Sequence, residues 1–522
     1  MNTISVLLLK QGQPHDSDAA GRRPFPTRFA WPLALLLAAA YLFLVIRHVD
    51  ACAGGADSSG YMNHALVLGS GRHHVPSRSI PGAGRPTGYT YCPLGFRPST
   101  GGTLVPTYPV GTSLFILAAK EAVGWTHAFD LVIVLHAAAG LLLVFLLGRR
   151  LGFDAAWSGA AVAVTAASPL YLAYALQGMS DLPAMVWCAA LALLVWHARG
   201  RPGWAIAAGA AFSVAVLIRP TDALMLVPVA AAWWPAPGEG FGVRAGARRA
   251  LLFVLGGLPG AAFFCFDNLR SYGAALTTGY GDIASLFQAG VARETLAHYA
   301  HWLPVLFTPV VWLCVALPFA AARSRIAAFL LSWIAAFLGF YLCYSPTHET
   351  WWYLRFVLPA APALVFGGLW MLRAAFARIR PRRAAAAAFA VLLLAALAEQ
   401  ARWCRKLDVL QTGIAEDVYP RTMAWIGEHA PARSILIAMQ TSGAAFFYTR
   451  DTVVRWDQLK PPDFRRIVVQ ASKQGRPIYA PLFPWEKASA LGRRMPGRWI
   501  AAARVGVVTI WRWAGAEPAR TS

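Results

Sequence analysis

Charge is scarce in this chain. Of its 522 residues, 14% are Asp, Glu, Lys or Arg and 57% are hydrophobic, and the mean hydropathy is +0.48. The shortage excludes an ordinary soluble protein, because apolar runs this long and this numerous need a bilayer. Acids are the scarcer sign, 24 against 47 basic residues. The basic excess does not imply a nucleic-acid partner, since the arginines stand between apolar runs rather than on one basic face, and membrane topology accounts for much of the excess. Cysteine is sparse too: the seven residues show neither paired CxxC nor zinc-finger spacing. Cys188, Cys265, Cys314 and Cys343 fall within or beside apolar runs and read as small apolar packing residues. Cys52 and Cys92 share one loop and could form a disulfide if that loop faces an oxidising compartment. No internal repeat is present, which excludes a solenoid.

What the chain does have is a series of apolar runs. A crossing helix takes about 20 apolar residues, with shorter helices tolerated inside a bundle. On that measure eleven spans are expected, at about 30–46, 128–148, 155–173, 182–198, 203–218, 222–236, 250–267, 302–322, 326–344, 353–372 and 384–399. The first follows Arg22, Arg23 and Arg28 and reads as an uncleaved signal anchor. With the N-terminus inside, the short cytoplasmic turns receive Arg149 and Arg150, Arg199 and Arg201, Arg244, Arg248 and Arg249, Arg323 and Arg325, then Arg373 to Arg383. The turns 174–181 and 345–352 on the opposite side contain no lysine or arginine, as the positive-inside rule requires. Tyr108 to Val123 is apolar but is interrupted by Lys120 and Glu121, so it reads as an interfacial or re-entrant helix rather than a span.

The resulting division is a cytoplasmic tail at 1–29, a membrane region at 30–400 with a large outer loop at 47–127, and a soluble extracytoplasmic segment at 401–522. Beyond residue 401 no run is long enough to span. Ser434–Met439, Thr452–Arg455 and Ile478–Leu482 read as strands, and Pro420–His429, Pro462–Gln474 and Trp485–Leu491 as helices. The fold class is therefore mainly α, a polytopic helical bundle followed by a small α/β domain.

Chemistry concentrates where spans end on the outer side. Asp57 lies in Gly54-Gly55-Ala56-Asp57-Ser58-Ser59-Gly60-Tyr61, ahead of a short helix. Asp181 lies in Gly178-Met179-Ser180-Asp181-Leu182-Pro183, where the chain re-enters the membrane. Either acid could be no more than a helix cap. Acids at a membrane are nevertheless costly to keep, and the two share one face in this topology, so one pocket could hold both as catalytic carboxylates. Arg219, Arg270 and Arg355 share that outer placement and suit a lipid phosphate through paired N–H donors, or else snorkel to headgroups. Tyr61, Tyr108, His348, Glu349 and Trp352 are the candidates for an acceptor or sugar pocket, and the Trp351-Trp352-Tyr353 run also reads as an interface belt. No cofactor is certain. His73-His74 and His348-Glu349 are candidates for a divalent metal, but neither has HExxH spacing or a nearby third ligand.

These segments, in this order, resemble the GT-C glycosyltransferase superfamily, near the bacterial protein O-mannosyltransferase and lipid A aminoarabinose transferase group, over roughly the first 400 residues. Asp57-Ser58-Ser59-Gly60-Tyr61 is similar to the acidic motif after the first span, with Ser58 where many members have a second acid. Pro106-Thr107-Tyr108-Pro109-Val110-Gly111 resembles the entry to a juxtamembrane helix. Ser180-Asp181-Leu182-Pro183 resembles the later aspartate motif, and Leu217-Ile218-Arg219-Pro220-Thr221 the Arg-Pro turn. Tyr353-Leu354-Arg355-Phe356-Val357-Leu358-Pro359 resembles the aromatic-Arg segment before a later span.

The resemblance implies a multi-pass enzyme of a bacterial inner membrane. It would transfer a sugar, with inversion, from a polyprenyl-phosphate donor to an extracytoplasmic envelope glycan, lipid or protein. In that scheme Asp57 is the general base, Asp181 orients donor or acceptor, and an arginine meets the departing phosphate. Desolvation would have to raise the Asp57 pKa for it to act on a hydroxyl. The rival reading is a transporter or flippase of a lipid or polar solute, which predicts charges near mid-span and paired broken helices.

Overall fold

A computed structural model describes residues 27–234, 243–321 and 324–515. The tail at 1–26, with Arg22 and Arg23, lies outside the described residues, as does Arg323.

The chain is mainly helical. Among the described residues five helical stretches are long and apolar enough to cross a membrane: Val110–Arg150, Asp181–Ala198, Arg244–Tyr272, Trp351–Phe376 and Arg382–His429. Six shorter apolar helices accompany them: Ala34–His48, Ala155–Ala167, Trp204–Ile218, Pro220–Trp233, Pro309–Ala321 and Arg325–Tyr341. Each expected apolar run holds one of these eleven helices, but two runs are broken. The run 155–173 divides at Ser168, whose hydroxyl caps a new helix that has Pro169 at its first position. The run 302–322 divides at Thr308, which takes φ 75° ahead of Pro309. Proline there has no N–H to continue the ladder, so the helix Ala292–Phe307 ends and a 3₁₀ stretch begins.

The helix Val110–Arg150 is also interrupted, at Gly124 (φ 72°, ψ 173°). The break falls one residue past the segment expected to lie along the interface. Glycine takes this geometry without steric cost. Elsewhere small residues bring backbones together: a Cβ at Gly209 would sit 1.9 Å from the Phe253 carbonyl oxygen, and one at Gly256 would sit 1.9 Å from that of Ile206. Trp204–Ile218 and Val243–Tyr272 thus pack at backbone contact, as helices do where apolar burial gives no drive to associate.

Two sheets lie outside this bundle. In the first loop β1 (Val75–Pro76), β2 (Phe96–Pro98) and β3 (Thr103–Pro106) form an antiparallel sheet of order β1-β3-β2. Towards the C-terminus β4 (Ile435–Ile437), β5 (Thr452–Val454), β6 (Ile478–Leu482), β7 (Arg498–Val505) and β8 (Val508–Gly515) form a sheet of order β5-β4-β6-β8-β7. β4 runs parallel to β5 and β6, and the β7–β8 hairpin adds antiparallel to β6. The three strands expected from sequence are β4, β5 and β6; the hairpin was not expected.

The first loop and the C-terminal segment share their interiors. Ile80 and Tyr91 pack with Ile435, Val454 and Phe464 in one apolar cluster. Val67, Phe96 and Leu104 pack with Leu436, Phe446 and Ile510 in another. Cys52 and Cys92 are both buried and both free, so the disulfide allowed by their shared loop is not formed. The Cys52 thiol instead donates to the Glu416 carbonyl at 3.4 Å.

Candidate active site

Asp57 and Asp181 meet through one arginine. The helix Ala56–Gly69 has Gly55 at its N-cap with no side-chain cap, and Asp57 lies in its first turn with its carboxyl bonded elsewhere. One Asp57 oxygen accepts the Tyr108 hydroxyl at 2.5 Å, and the other takes Arg355 Nη2 at 2.7 Å. Arg355 Nη1 lies 3.8 Å from Asp181, whose other oxygen takes Arg219 Nη1 at 2.7 Å. Asp181 opens the helix Asp181–Ala198 with Ser180 in the cap position, so it too is engaged in ion pairing rather than capping. Two acids and two guanidinium groups from four separate segments therefore form one chain of charge, Tyr108–Asp57–Arg355–Asp181–Arg219.

Aromatic rings hold that chain in place. Arg355 lies 5.1 Å from the Phe356 ring centroid and 5.9 Å from that of Tyr353, and Arg219 lies 5.6 Å from Phe356. Such faces attract a guanidinium and restrict its rotamers. Tyr353 stacks with Phe356 at 5.9 Å, and Tyr341 stacks with Phe356 at 5.5 Å. The Arg355 Nε is buried without a hydrogen-bond partner, so the guanidinium has donor capacity left over.

Burial pushes the Asp57 carboxyl up. The Arg355 guanidinium, the Tyr108 hydroxyl and the more distant Arg219 outweigh burial and hold the carboxyl below the usual carboxylate value. This direction is opposite to what a resting general base for a hydroxyl requires. As it stands, Asp57 is a partnered anion.

The remaining candidates divide. Tyr61 lies under the site: its hydroxyl donates to Ser180 Oγ at 2.7 Å, and its ring sits 5.0 Å from that of Tyr108. Trp352 is 47% exposed, and its carbonyl accepts the Tyr174 hydroxyl at 2.8 Å. His348 lies on the 3₁₀ turn Ser345–His348 with Nδ1 buried and unpartnered, while Glu349 is exposed. Arg270 lines a different space, a cavity of about 620 Å³ shared with His74 and Arg97. His73 pairs with Asp267 at 3.3 Å, and His74 bonds the Arg270 carbonyl at 2.9 Å. Among the described residues no three His, Cys, Asp or Glu side chains gather in a way that could hold a metal ion.

A second cavity, of about 530 Å³, opens beside Asp57. Ala56, Tyr108, Tyr280, Arg97, Arg455 and Gln458 are among its lining residues. Arg97 and Tyr280 escaped the sequence reading. Arg97 carried little signal, because the loop 47–127 also holds Arg72, Arg78 and Arg85 and nothing in the pattern sets Arg97 apart from them. Tyr280 carried none, because its loop has no distinguishing pattern. Arg455 and Gln458 come from the segment after β5 and reach the cavity only through tertiary packing.

No protein-family model matches the sequence, and no curated protein matches it. Solved structures do share its fold. ArnT from Cupriavidus metallidurans bound to undecaprenyl phosphate aligns with a TM-score of 0.57 at 14% identity, over 94% of this chain and 100% of that one. The Archaeoglobus fulgidus oligosaccharyltransferase tethered with an acceptor peptide gives a TM-score of 0.57 at 12% identity, over 93% of this chain and 74% of that one. Arabinofuranosyltransferase AftD from Mycobacteria gives 0.55 at 12% identity, over 94% of this chain and 40% of that one. At these identities the likeness is one of fold.

Proposed function

We propose that this protein is a membrane glycosyltransferase that moves a sugar from a polyprenyl-phosphate donor to an extracytoplasmic acceptor, with inversion at the anomeric carbon. The observation that carries the reading is Arg355 shared between Asp57 at 2.7 Å and Asp181 at 3.8 Å, with Tyr108, the hydroxyl partner of Asp57, lining a cavity large enough for a sugar. A guanidinium held by two carboxylates can exchange one of them for a phosphate, which presents the same paired acceptor oxygens.

The exchange gives Asp57 its chemistry. When the donor phosphate takes up Arg355, Asp57 loses the partner that holds its pKa down, and burial then raises its basicity. The acceptor oxygen attacks the anomeric carbon as the bond from that carbon to the phosphate oxygen breaks. The acceptor proton passes to Asp57, and polyprenyl phosphate leaves with the electron pair, its charge met by Arg355. Asp181 keeps Arg219 and Arg355 in register, and Tyr108 orients the Asp57 carboxyl. The bacterial inner membrane, with the N-terminus cytoplasmic and residues 401–522 outside, belongs to the same proposal.

The test is sugar release from radiolabelled polyprenyl-phosphate sugars by membranes carrying wild type or Asp57→Asn, at matched protein level. Transfer by wild type that is lost in Asp57→Asn is expected. Equal turnover in both removes Asp57 from the mechanism, and movement of the lipid across the bilayer without sugar release sinks the transferase reading in favour of a flippase.

A further inference from the structure

The chain between the first helix and Asp57 is gripped from two sides. On one side, the Asp50 N–H donates to the Leu176 carbonyl at 3.2 Å and the Ala51 N–H to Asp130 at 2.8 Å. On the other side lies the segment after the last long helix. The Ala53 N–H donates to the Tyr448 hydroxyl at 3.1 Å, and the Gly55 N–H to Glu416 Oε2 at 3.4 Å. Gly413 packs so closely that a Cβ would sit 2.3 Å from the His48 carbonyl oxygen and 2.4 Å from that of Leu176.

Gly54 makes the Glu416 contact possible. A Cβ there would sit 2.1 Å from Glu416 Oε2 and 3.2 Å from Ser58 Oγ, so any larger residue would expel the carboxylate. The placement is not one that a carboxylate would take for its own stability. Burial pushes the Glu416 carboxyl up to about 7, with the Asp50 and Asp57 carboxylates adding to the shift and the Gly55 N–H opposing it. Among the described residues Glu416 has no cationic partner, and what its side chain contributes is the acceptor for Gly55, two residues before Asp57.

We propose that Glu416 is a positioning residue for Asp57: by accepting the Gly55 N–H it fixes the Gly54-Gly55 turn so that the Asp57 carboxyl meets Tyr108 and Arg355 beside the cavity. The C-terminal segment thereby sets the geometry of the site as well as covering it. The catalytic consequence rests on the transferase reading; the grip on the turn does not.

The experiment is hydrogen–deuterium exchange on the full chain reconstituted in lipid, paired with kinetics on undecaprenyl-phosphate sugars. Glu416→Ala is expected to raise exchange across residues 53–57 about tenfold. The Gln side chain in Glu416→Gln keeps an acceptor oxygen and should stay within about twofold of wild type. Gly54→Ala should loosen the same residues. Adding Glu416→Ala to Gly54→Ala should raise exchange by less than the product of the two single effects, because the removed carboxylate leaves room for the new methyl. In kinetics Glu416→Ala should lower kcat by about 10- to 100-fold with the donor KM within about twofold, as misplacement of a reacting group does. Wild-type exchange at 53–57 in Glu416→Ala overturns the proposal, and so does equal loosening throughout the C-terminal sheet. If wild type releases no sugar from any donor, the exchange result still decides the grip, and only the transferase reading falls.

Discussion

The turn carrying Asp57 separates two acidic neighbourhoods that differ in one respect. On the membrane side Asp57 and Asp181 are each within ion-pair distance of an arginine. On the C-terminal side Asp50 and Glu416 have no ion-pair partner among the described residues, and burial pushes them up to about 6 and about 7. A partly buried acid is therefore held as an anion in one place, while in the other it keeps its proton to a higher pH. What differs is the presence of guanidinium, since burial acts on both. A site meant to bind an anion needs cations that are already ordered and can change partners, and the membrane side has them. The C-terminal side has hydrogen-bond acceptors that fix backbone.

The comparison breaks most severely at Asp57. Asp57→Asn keeps the shape and the Tyr108 contact but removes the base, so turnover should fall by about 10²- to 10⁴-fold, read as sugar release at matched protein level. Glu416→Gln in the same assay should change little. A large loss in Glu416→Gln with none in Asp57→Asn would reverse the roles assigned to the two neighbourhoods. Arg219→Ala should affect the fold as well as the rate. It leaves Asp181, whose side chain is 3% exposed, with Arg355 alone at 3.8 Å, and stranding a buried charge costs about 3–5 kcal/mol. A lowered unfolding temperature in detergent checks this, and substituting Asp181 by Asn in the same chain should recover part of the loss.

Much of this site was legible in sequence because membranes make charge conspicuous. An acid or arginine between apolar runs has few structural excuses, and Asp57, Asp181, Arg219 and Arg355 all stood out on that ground and all meet in one cluster. Arg270 satisfied the same rule yet lines the other cavity. The rule reports which membrane face a residue occupies, and position around the bundle is left open. Glu416 gave no signal, because it lies past the apolar run 384–399 and past the end of the helix Arg382–Lys406, where an acid is ordinary, and its partial burial depends on packing against a loop some 360 residues away. The β7–β8 hairpin escaped for a related reason. Its inward Val508 and Ile510 alternate with Thr509 and Trp511, but Arg498, Arg504 and Arg512 dilute the apolar pattern on which a strand reading depends. The helix runs were clear, whereas the breaks at Ser168 and Thr308 depend on single backbone angles that hydropathy does not register.

The two neighbourhoods should also fail at opposite ends of the pH scale. Glu416 keeps its proton in the folded chain up to about 7, whereas an unfolded glutamate loses it near the ordinary value of 4.5. Between those values the folded state binds more protons, so stability falls as pH rises through the window. Asp50 acts in the same sense up to about 6, in the field of Asp130, Asp417 and His127. Asp57, held below its ordinary value, contributes stability above that value and loses it as pH falls through its folded pKa. Thermal unfolding should therefore show higher stability at pH 5 than at pH 8, by roughly 2–3 kcal/mol for Glu416, and Glu416→Gln should flatten that slope. An unchanged slope would place Glu416 in water rather than against the turn.

The smallest expected effect separates orientation from charge on the membrane side. Tyr108 donates to the Asp57 oxygen that Arg355 does not bind, so Tyr108→Phe removes a hydrogen bond while leaving the ion pair. The loss of a bond to a charged acceptor is about 1.5–3 kcal/mol. If the bond only stabilises the resting anion, its removal raises the Asp57 pKa: the acid limb of the rate profile should move to higher pH, and turnover above that limb should rise as the fold weakens. If the bond aims the carboxyl at the acceptor, turnover should drop about tenfold at every pH. The second outcome is expected, because Tyr108 also lines the 530 Å³ cavity and its ring packs on Tyr61 and Tyr280. A ring packed against two others holds its hydroxyl in one place, and once the donor phosphate takes up Arg355 that hydroxyl is the contact left to direct the Asp57 carboxyl.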